Sequence, residues 1–421
     1  MPRLAPSLIR RAARLSPHLA ALLPACRTVA AARRELRWIR EHALASSPGA
    51  GADGQARVAR LVARRGGGEP LQYVLGSQPF AGLDIRCAKG VLIPRAETEA
   101  WAGMLGDLVF SSLDDGEGGG GGGGDVRIAD LCAGTGCIGL SLYARGMALR
   151  RERGGGEKTG RGVVGRDSPP GVRVFGFDIE PRAVRLARRN LLHNFHAPSL
   201  LFSERSNHTT SPAVTFRQAD IFADEWMTSL DATDKNPRTR RIDVLVSNPP
   251  YISHRGFATD TGRSVRNYEP KLALVPPPLP IRASNSSTTG SGTAACAPED
   301  VFYTRLLDLA STLRPRVAAF EVGDMGQALR VAEMAIARRL GEEEEGRTGV
   351  GGEAPGWEIV EIWRDWPDCR PGDDERDGVR VGGRMVPVRG SGHGRVVFLA
   401  EGGIMRSRYA NRGCRREVYE V

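Results

Sequence analysis

Several features that would assign this 421-residue chain to a common functional class are missing from its sequence. No run of about 18 consecutive apolar residues is present, so we expect a soluble protein with no membrane partner. The seven cysteines are scattered and never spaced as C-x-x-C, which argues against a disulfide framework and a zinc site, and no metal is expected. A G-x-x-x-x-G-K-[ST] phosphate loop is also missing, which argues against ATP.

Acidic residues are missing from the first 34 positions, which carry seven arginines. The formal net charge of +10 therefore falls to +3 for the rest of the chain, and we expect no stable binding to nucleic acid. A start that is rich in arginine and alanine and free of acid is typical of a mitochondrial transit peptide, so residues 1–34 are a possible targeting segment. The predicted location is the mitochondrial matrix, with the cytoplasm as the alternative.

The first 75 residues have the pattern of a small helical domain. In TVAAARRELRWIREHAL, apolar residues recur at steps of three and four from Val29 to Ala43, behind a possible N-cap at Thr28. Shorter helices are predicted around 4–23 and 58–63.

Beyond this helical domain, short apolar strands alternate with helices. Alternation of this kind predicts an α/β domain with a doubly wound, mostly parallel sheet. The predicted segments are a hairpin and connector (76–115), a glycine-rich linker (116–125), the α/β domain (126–399) and a basic tail (400–421). Disordered insertions are predicted near 149–171, 199–213, 276–298 and 341–356, where composition shifts to Gly, Ser, Pro or like charges.

Three of the predicted strands end in an acidic residue. The first strand ends at Asp130 and runs through a turn containing Gly134 and Gly136 into a helix, which lets a ligand approach the backbone. Asp178 ends the second strand and can accept both hydroxyls of a ribose, while Asp220 ends the third and can accept from an adenine amine. S-adenosylmethionine fits this set better than NAD, because the first turn lacks the third glycine of a pyrophosphate site.

The fourth strand runs into the sequence Asn-Pro-Pro-Tyr at positions 248–251. The Asn248 oxygen and the carbonyl groups beside Pro249 and Pro250 are acceptors, and the fixed φ of proline keeps them aimed. Two such acceptors suit the two hydrogens of a planar –NH₂ group, on which Tyr251 can stack. The turn is therefore predicted to hold an amide or an exocyclic amine for methylation.

Eight stretches in this order resemble the HemK/PrmC family of protein glutamine N5-methyltransferases: QYVLGSQPFAGLDI, GVLIPRAETE, DLCAGTGCIG, FGFDIEPRAVRLARRN, SNPPYIS, VRNYEPKLAL, FYTRLL and FEVGDMGQ. The resemblance covers residues 69–335 in pieces and indicates a mitochondrial, fungal-type member. It implies a Rossmann-like class I methyltransferase fold and a helical N-terminal domain that docks the substrate. It also implies methylation of the glutamine in the Gly-Gly-Gln loop of a class-one translation release factor. We expect the protein to be a monomer.

The resemblance also implies roles for individual residues. Those along the cofactor would be Asp130, Cys132, Ala133, Gly134, Thr135, Gly136, Asp178, Asp220 and Ile221. The glutamine pocket would be Asn248, Pro249, Pro250 and Tyr251, with Pro94, Arg95, Glu97 and Thr98 near its entrance. Cys132 departs from the family, in which glycine is usual, and could crowd the cofactor.

Two other functions use the same pattern. Adenine N6-methyltransferases of DNA or RNA also carry Asn-Pro-Pro-Tyr, since the adenine amine presents the same two hydrogens. Against this alternative, the chain has no appended base-recognition domain and no aromatic-rich basic strand. A binding module without catalysis is the third interpretation. The complete Asn-Pro-Pro-Tyr turn at 248–251, called the clamp below, argues against it.

Overall fold

Two compact units make up the part of the chain that the structure describes. The computed structural model describes residues 3–45, 52–112, 125–154, 171–194, 213–231, 241–278, 296–344 and 357–402. The first unit consists of Met1–Gln78, Arg86–Ile93 and Arg255–Lys271, and the second of Pro79–Ile85, Pro94–His254 and Leu272–Val421. Segments far apart in the sequence thus share the first unit.

Helices and strands follow one another as the alternating pattern predicts. The helices are α1 (Pro6–Leu15), α2 (Pro17–Cys26), α3 (Val29–Ala45), α4 (Ala52–Gly66), α5 (Leu71–Leu75), α6 (Ala96–Ser112), α7 (Cys137–Gly154), α8 (Pro181–Asn194), α9 (Thr228–Asp231), α10 (His254–Thr259), α11 (Arg263–Tyr268), α12 (Val301–Leu313) and α13 (Met325–Glu344). The strands are β1 (Ser77–Phe80), β2 (Leu83–Arg86), β3 (Val126–Leu131), β4 (Val172–Asp178), β5 (Val214–Gln218), β6 (Val244–Ser247), β7 (Val317–Glu321), β8 (Ile359–Trp366), β9 (Gly378–Val381), β10 (Arg384–Arg389) and β11 (Ser391–Ala400).

Helix α3 forms where its periodicity predicts. The Thr28 hydroxyl oxygen accepts from the backbone N–H of Ala31 at 3.1 Å, so the predicted N-cap is confirmed. The predicted stripe is buried from Ala32 to Ala43 and half-buried at Val29, and it forms the core of the first unit together with residues of α1, α2 and α4. Since this core is small, each of its apolar side chains contributes a large share of the stability of the unit.

The helical structure predicted around residues 4–23 is present as two helices, α1 and α2, because the chain turns at Ser16. This residue has an extended backbone and its hydroxyl caps α2 by accepting from His18 N–H at 3.2 Å, with Pro17 in the first helical position. Both helices bury apolar side chains, among them Ala12 and Leu22, which have no exposed surface. The segment that is typical of a targeting signal therefore also supplies part of a folded core.

A nine-stranded sheet forms the centre of the second unit. Its strand order is β5-β4-β3-β6-β7-β11-β8-β10-β9. The five strands from β3 to β7 are parallel, and β11 lies antiparallel between β7 and β8. Apolar residues on both faces pack against helices in two core clusters, so the predicted doubly wound, mostly parallel α/β architecture is confirmed.

Most of the predicted insertions lie outside the described residues. At their margins, α7 continues to Gly154 and α13 to Glu344. The glycine-rich linker up to Gly124 and the tail from residue 403 also lie outside the described part of the chain. Among the described helices, none is both long enough and apolar enough to cross a bilayer.

Candidate active site

Four parallel strands bring the predicted site residues to one edge of the sheet. The carboxyl ends of β3, β4, β5 and β6 meet there because these strands run in the same direction. The Ser247 hydroxyl at the end of β6 donates to the carbonyl oxygen of Leu131 at the end of β3, at 2.8 Å. The strand that leads into the glycine turn and the strand that leads into Asn-Pro-Pro-Tyr are thereby joined directly.

The turn after β3 is held by its neighbours on both sides. Ala133 N–H donates to the carbonyl of Phe177 at 2.9 Å, and the Asn190 side chain of α8 donates to the carbonyl of Thr135 at 2.9 Å. Gly136 has φ +79°, and a Cβ at this position would lie 2.7 Å from the ring of Phe216. A side chain would be strained at this φ and would meet the ring, which explains the glycine at position 136.

Cys132 lies in the same turn with a left-handed backbone, at φ +61°. This is the conformation that glycine adopts without a Cβ clash, which gives a physical reason for the glycine usual in the family. The half-buried thiol contacts the Ser247 side chain, and burial together with the charge of Asp178 raises its pKa. The thiol is therefore neutral and is no candidate nucleophile.

Asp178 is anchored to the turn by its carboxylate. Oδ2 accepts from Gly134 N–H at 2.8 Å and Oδ1 from Glu180 N–H at 2.9 Å. Burial raises the pKa of Asp178, while these two backbone donors oppose the rise. Each carboxylate oxygen keeps a free lone pair, so Asp178 can still accept from a ligand.

Asp130 lies deeper than Asp178 and has no exposed surface. Its Oδ2 accepts from Gly139 N–H at 3.0 Å, whereas Oδ1 has no partner among the described residues. Burial raises the pKa of Asp130 to about 7, and the charge of Asp178 adds to the rise. The observed contact fixes the first turn of α7, and the predicted contact with the cofactor stays a prediction.

The loop after β5 presents Asp220 to solvent and turns Ile221 inward. Asp220 Oδ1 accepts from Phe222 N–H at 3.0 Å. Arg305 on α12 donates to the carbonyl oxygens of Ile221 at 2.7 Å and Ala223 at 3.1 Å. The loop is thus clamped from a helix that lies much later in the sequence.

The Asn-Pro-Pro-Tyr turn leaves its asparagine available. Asn248 is half-buried, and its side chain has no hydrogen-bond partner among the residues that the structure describes. Pro249 and Pro250 are buried, while the Tyr251 hydroxyl donates to Glu321 Oε1 at 3.2 Å. Burial raises the pKa of Tyr251, so its phenol is neutral. Asn248 can therefore bind a ligand without losing an internal contact.

The predicted entrance residues surround the start of α6. Pro94 and Thr98 are buried, and Arg95 and Glu97 are half-buried. The Thr98 hydroxyl donates to Glu321 Oε2 at 2.7 Å, on the same carboxylate that binds Tyr251. Arg95 is close enough for its charge to oppose the rise in the pKa of Tyr251. The structure thus brings Thr98 and Arg95 next to the clamp, and their contact with a substrate stays a prediction.

Three residues around this site had no predicted role: Arg305, Glu321 and Gln327. They lie in FYTRLL and FEVGDMGQ, two stretches that the sequence singles out only through the family resemblance. A buried charge in an apolar strand was the available signal for Glu321, since such a charge needs partners.

The edge of the sheet fits a nucleoside cofactor. Asp178 and Asp220 offer carboxylates at adjacent strand ends, and Ile179, which is 49% exposed, offers apolar surface directly beside Asp178. The partnerless, half-buried Asn248 lies at the end of β6, next to β3 in the sheet. No cluster of three or more His, Cys, Asp or Glu side chains that could hold a metal ion occurs in the described ranges.

Comparisons with known proteins identify the family. The chain is 34% identical over 275 residues to the mitochondrial MRF1 N(5)-glutamine methyltransferase MTQ1 of Saccharomyces cerevisiae, a match that covers 65% of this chain and 68% of that protein. The chain belongs to the HemK/PrmC family of glutamine N5-methyltransferases. The family includes a probable mitochondrial MRF1 enzyme of Schizosaccharomyces pombe, 31% identical over 264 residues, with 62% of this chain and 70% of that protein covered.

Bacterial relatives match over a shorter region. The release factor glutamine methyltransferase of Bacteroides thetaiotaomicron is 28% identical over 229 residues, with 54% of this chain and 60% of that protein covered. No family model matches the chain. The solved N-terminal domain of human METTL16 in complex with SAH is 12% identical with a TM-score of 0.37 over 81% of this chain and 83% of that chain, a likeness that supports no inference here.

Proposed function

We propose that this protein transfers a methyl group from S-adenosylmethionine to the side-chain amide nitrogen of the glutamine in the Gly-Gly-Gln loop of a class-one release factor in mitochondria. The observation that carries the proposal is the half-buried Asn248, whose side chain has no partner among the described residues, at the strand end beside the glycine turn. The names of the bacterial relatives support a release factor as the substrate, and those of the two yeast relatives support the mitochondrial location.

The proposed cofactor site consists of groups on the ends of three strands. Asp178 would accept from the ribose hydroxyls, Asp220 and Ile221 would lie near the adenine, and the turn at 132–136 would follow the methionine part. When bound, S-adenosylmethionine supplies an electrophilic methyl carbon on a sulfonium. The tie between Ser247 and Leu131 supports this reading, because it keeps the donor half and the acceptor half of the site in register.

The acceptor nitrogen is a poor nucleophile, because the lone pair of an amide is delocalised. The Asn248 side-chain oxygen and the carbonyl groups near Pro249 and Pro250 would accept its two N–H groups and turn the lone pair toward the methyl carbon. Those acceptors also favour the positive charge that develops on nitrogen. Tyr251 is a neutral phenol and serves as a stacking surface. The methylated nitrogen loses its extra proton readily to solvent, so no strong base is required.

A labelling experiment tests the proposal. The purified protein is incubated with methyl-labelled S-adenosylmethionine, a mitochondrial release factor and total RNA. We expect label on the release factor, and none when the glutamine of its Gly-Gly-Gln loop is replaced by alanine. The Asn248→Ala variant should lose about 10² to 10³ in turnover while keeping its affinity for S-adenosylhomocysteine.

Label in N6-methyladenine, with the release factor unmodified, would instead favour the adenine methyltransferase.

We propose that the protein is a monomer, and light scattering of the purified protein measures its oligomeric state. The helical N-terminal domain is proposed to dock the release factor, and the proposed location is the matrix.

A further inference from the structure

Glu321 is a buried carboxylate at the end of β7, the strand next to β6. Only 1% of its surface is exposed. Oε2 accepts from the Thr98 hydroxyl at 2.7 Å and from Trp101 Nε1 at 2.8 Å, and Oε1 accepts from the Tyr251 hydroxyl at 3.2 Å. A charge buried so deeply persists only when donors surround it. Both oxygens of Glu321 therefore accept hydrogen bonds, and among the described residues Oε1 accepts only from the Tyr251 hydroxyl.

Positive charge near Glu321 also comes from Arg395 on β11. Its guanidinium donates to Asp365 at 2.8 Å and to the carbonyl of Val322 at 3.3 Å, and its charge favours an ionised Glu321. Burial raises the pKa of Glu321, whereas Arg395 and the three side-chain donors oppose that rise. The surrounding donors and the charge of Arg395 therefore hold the Glu321 carboxylate in place as the acceptor for the Tyr251 hydroxyl.

The same stretch holds Tyr251 at two more points. Gln327 Nε2 donates to the carbonyl of Tyr251 at 3.3 Å, while Gln327 Oε1 accepts from Gly323 N–H at 2.8 Å. A Cβ on Gly323 would lie 3.1 Å from the ring of Tyr251, so the ring rests on this glycine. The segment from Glu321 to Gln327 thus contacts the hydroxyl, the ring and the carbonyl of one tyrosine.

We propose that Glu321 is a positioning residue of the methyl transfer, which fixes the ring of Tyr251 at the angle needed to stack on the planar –NH₂ group of the substrate. The proposal rests on the proposed function, since it takes Tyr251 to be the stacking surface. Glu321 acts through Tyr251 and does not touch the substrate. The function of FEVGDMGQ is then to shape the acceptor half of the site.

A purely structural role would give a different result. In that case Glu321 would serve only to satisfy Thr98 and Trp101 on α6, and its loss would lower stability without a specific effect on turnover. The two roles are separated by asking whether the effects of Glu321 and Tyr251 on kcat are coupled.

The test is a double-mutant cycle with Glu321→Gln and Tyr251→Phe. Turnover and KM are measured with the polymer that the wild-type protein methylates, and affinity for S-adenosylhomocysteine is measured by calorimetry. Each single variant should lower kcat by at least about tenfold, the loss typical of one hydrogen bond to a charged group, with cofactor affinity within about twofold. The double variant should be no slower than the slower single variant.

Tyr303→Phe is the matched control, because its hydroxyl donates to the main-chain carbonyl of Glu321 at 2.7 Å and not to the carboxylate. It should lower the unfolding temperature while leaving kcat within about twofold of wild type. The positioning role would be overturned if the two losses in kcat multiplied in the double variant. It would also be overturned if Tyr251→Phe had the kcat of wild type, a result that can be obtained even if Glu321→Gln does not fold. Failure of the proposed function shows separately, as wild-type label on a polymer other than the release factor.

Discussion

Arg305 on α12 donates to the carbonyl oxygen of Ile221 at 2.7 Å, across 84 positions of sequence. The same guanidinium reaches the carbonyl of Ala223 at 3.1 Å. Two backbone carbonyls of the loop after β5 are therefore held by one side chain. Since Asp220 and Ile221 are the proposed adenine contacts, the shape of the cofactor site depends on a residue that does not touch it.

Replacement of Arg305 by leucine should loosen this loop. We expect the affinity for S-adenosylhomocysteine to fall by about threefold to tenfold, less than the loss of a direct charged contact. Calorimetry measures the change. Arg338→Leu is the control, because Arg338 on α13 also binds α12, at Asp308 and the carbonyl of Thr304, but among the described residues makes no hydrogen bond to the loop after β5. Equal losses for both variants would mean that α12, and not the loop, carries the effect.

Asp178→Ala should weaken the cofactor more strongly. The change removes the proposed acceptor for two ribose hydroxyls, and a lost hydrogen bond to a charged group costs about 1.5 to 3 kcal/mol of binding. Calorimetry with S-adenosylhomocysteine gives the value. Asp178 also accepts from Gly134 N–H, so thermal unfolding of the free protein must be measured beside it. Unchanged affinity in a folded variant would contradict the assignment of Asp178.

Local sequence patterns predict the elements and the strand ends but not the supports of the site. The strands from β3 to β6 and the acids after them follow from short apolar runs, and the Thr28 cap follows from residue type and place. The contact of Tyr251 with Glu321 spans 70 positions, and that of Thr98 with Glu321 spans 223. No periodicity encodes such pairs, because they depend on which strands become neighbours.

Local sequence patterns also do not predict which segments belong to which of the two units. Glu269 of VRNYEPKLAL, called the YEP stretch below, accepts from the backbone N–H of Ile93 at 3.1 Å. Ser264, just before it, donates to the carbonyl of Gly68 at 2.8 Å. These bonds tie residues 255–271 into the first unit, although the stretch directly follows the clamp in sequence. Only the tertiary fold brings the YEP stretch beside residues 86–93.

The left-handed backbone of Cys132 predicts how this position tolerates substitution. Glycine relieves a cost of about 1 to 2 kcal/mol but loses about 0.5 to 1 kcal/mol in chain entropy, so Cys132→Gly should raise the free energy of unfolding by about 0 to 1.5 kcal/mol. Cys132→Val should lower the free energy of unfolding by at least about 2 kcal/mol, because a branched Cβ clashes at this φ.

Urea denaturation measures both Cys132 variants. Cys26→Val is the control, since Cys26 is half-buried at the end of α2 and does not have a left-handed backbone. A valine at position 132 that is as stable as wild type would show that the turn has another conformation.

The arginines of α1 allow targeting and folding to be separated. Arg10, Arg11 and Arg14 are exposed, whereas Leu22 is fully buried. A fluorescent fusion with the three arginines changed to glutamine should fold and lose its mitochondrial position. Leu22→Ala should lower the free energy of unfolding by about 2 to 5 kcal/mol and keep the position. A diffuse cytosolic signal from the wild-type fusion would contradict the mitochondrial proposal and leave the enzymatic one intact.

Asp130 makes the stability of the free protein depend on pH. Burial raises its pKa to about 7, so the folded state holds this proton more tightly than the unfolded chain. Its contribution is then fully present below about pH 4, the pKa of an ordinary aspartate, and is lost as the pH rises through about 7. Asp130→Asn keeps an oxygen for Gly139 N–H and cannot ionise, so the stability of this variant relative to wild type should increase between pH 4 and 8.

The difference between the Asp130→Asn variant and wild type is bounded by the size of that pKa change, at most about 4 kcal/mol. It is measured by urea denaturation of both proteins, free of cofactor, at several pH values. Because the other titrating groups are shared, they cancel in the comparison, except for Asp178, whose charge acts on Asp130. The remaining pH dependence belongs to Asp130 together with this coupling. Parallel stability curves would show that Asp130 titrates alike in the folded and unfolded chains. In that case water or a counter-charge must reach its Oδ1, the oxygen without a described partner.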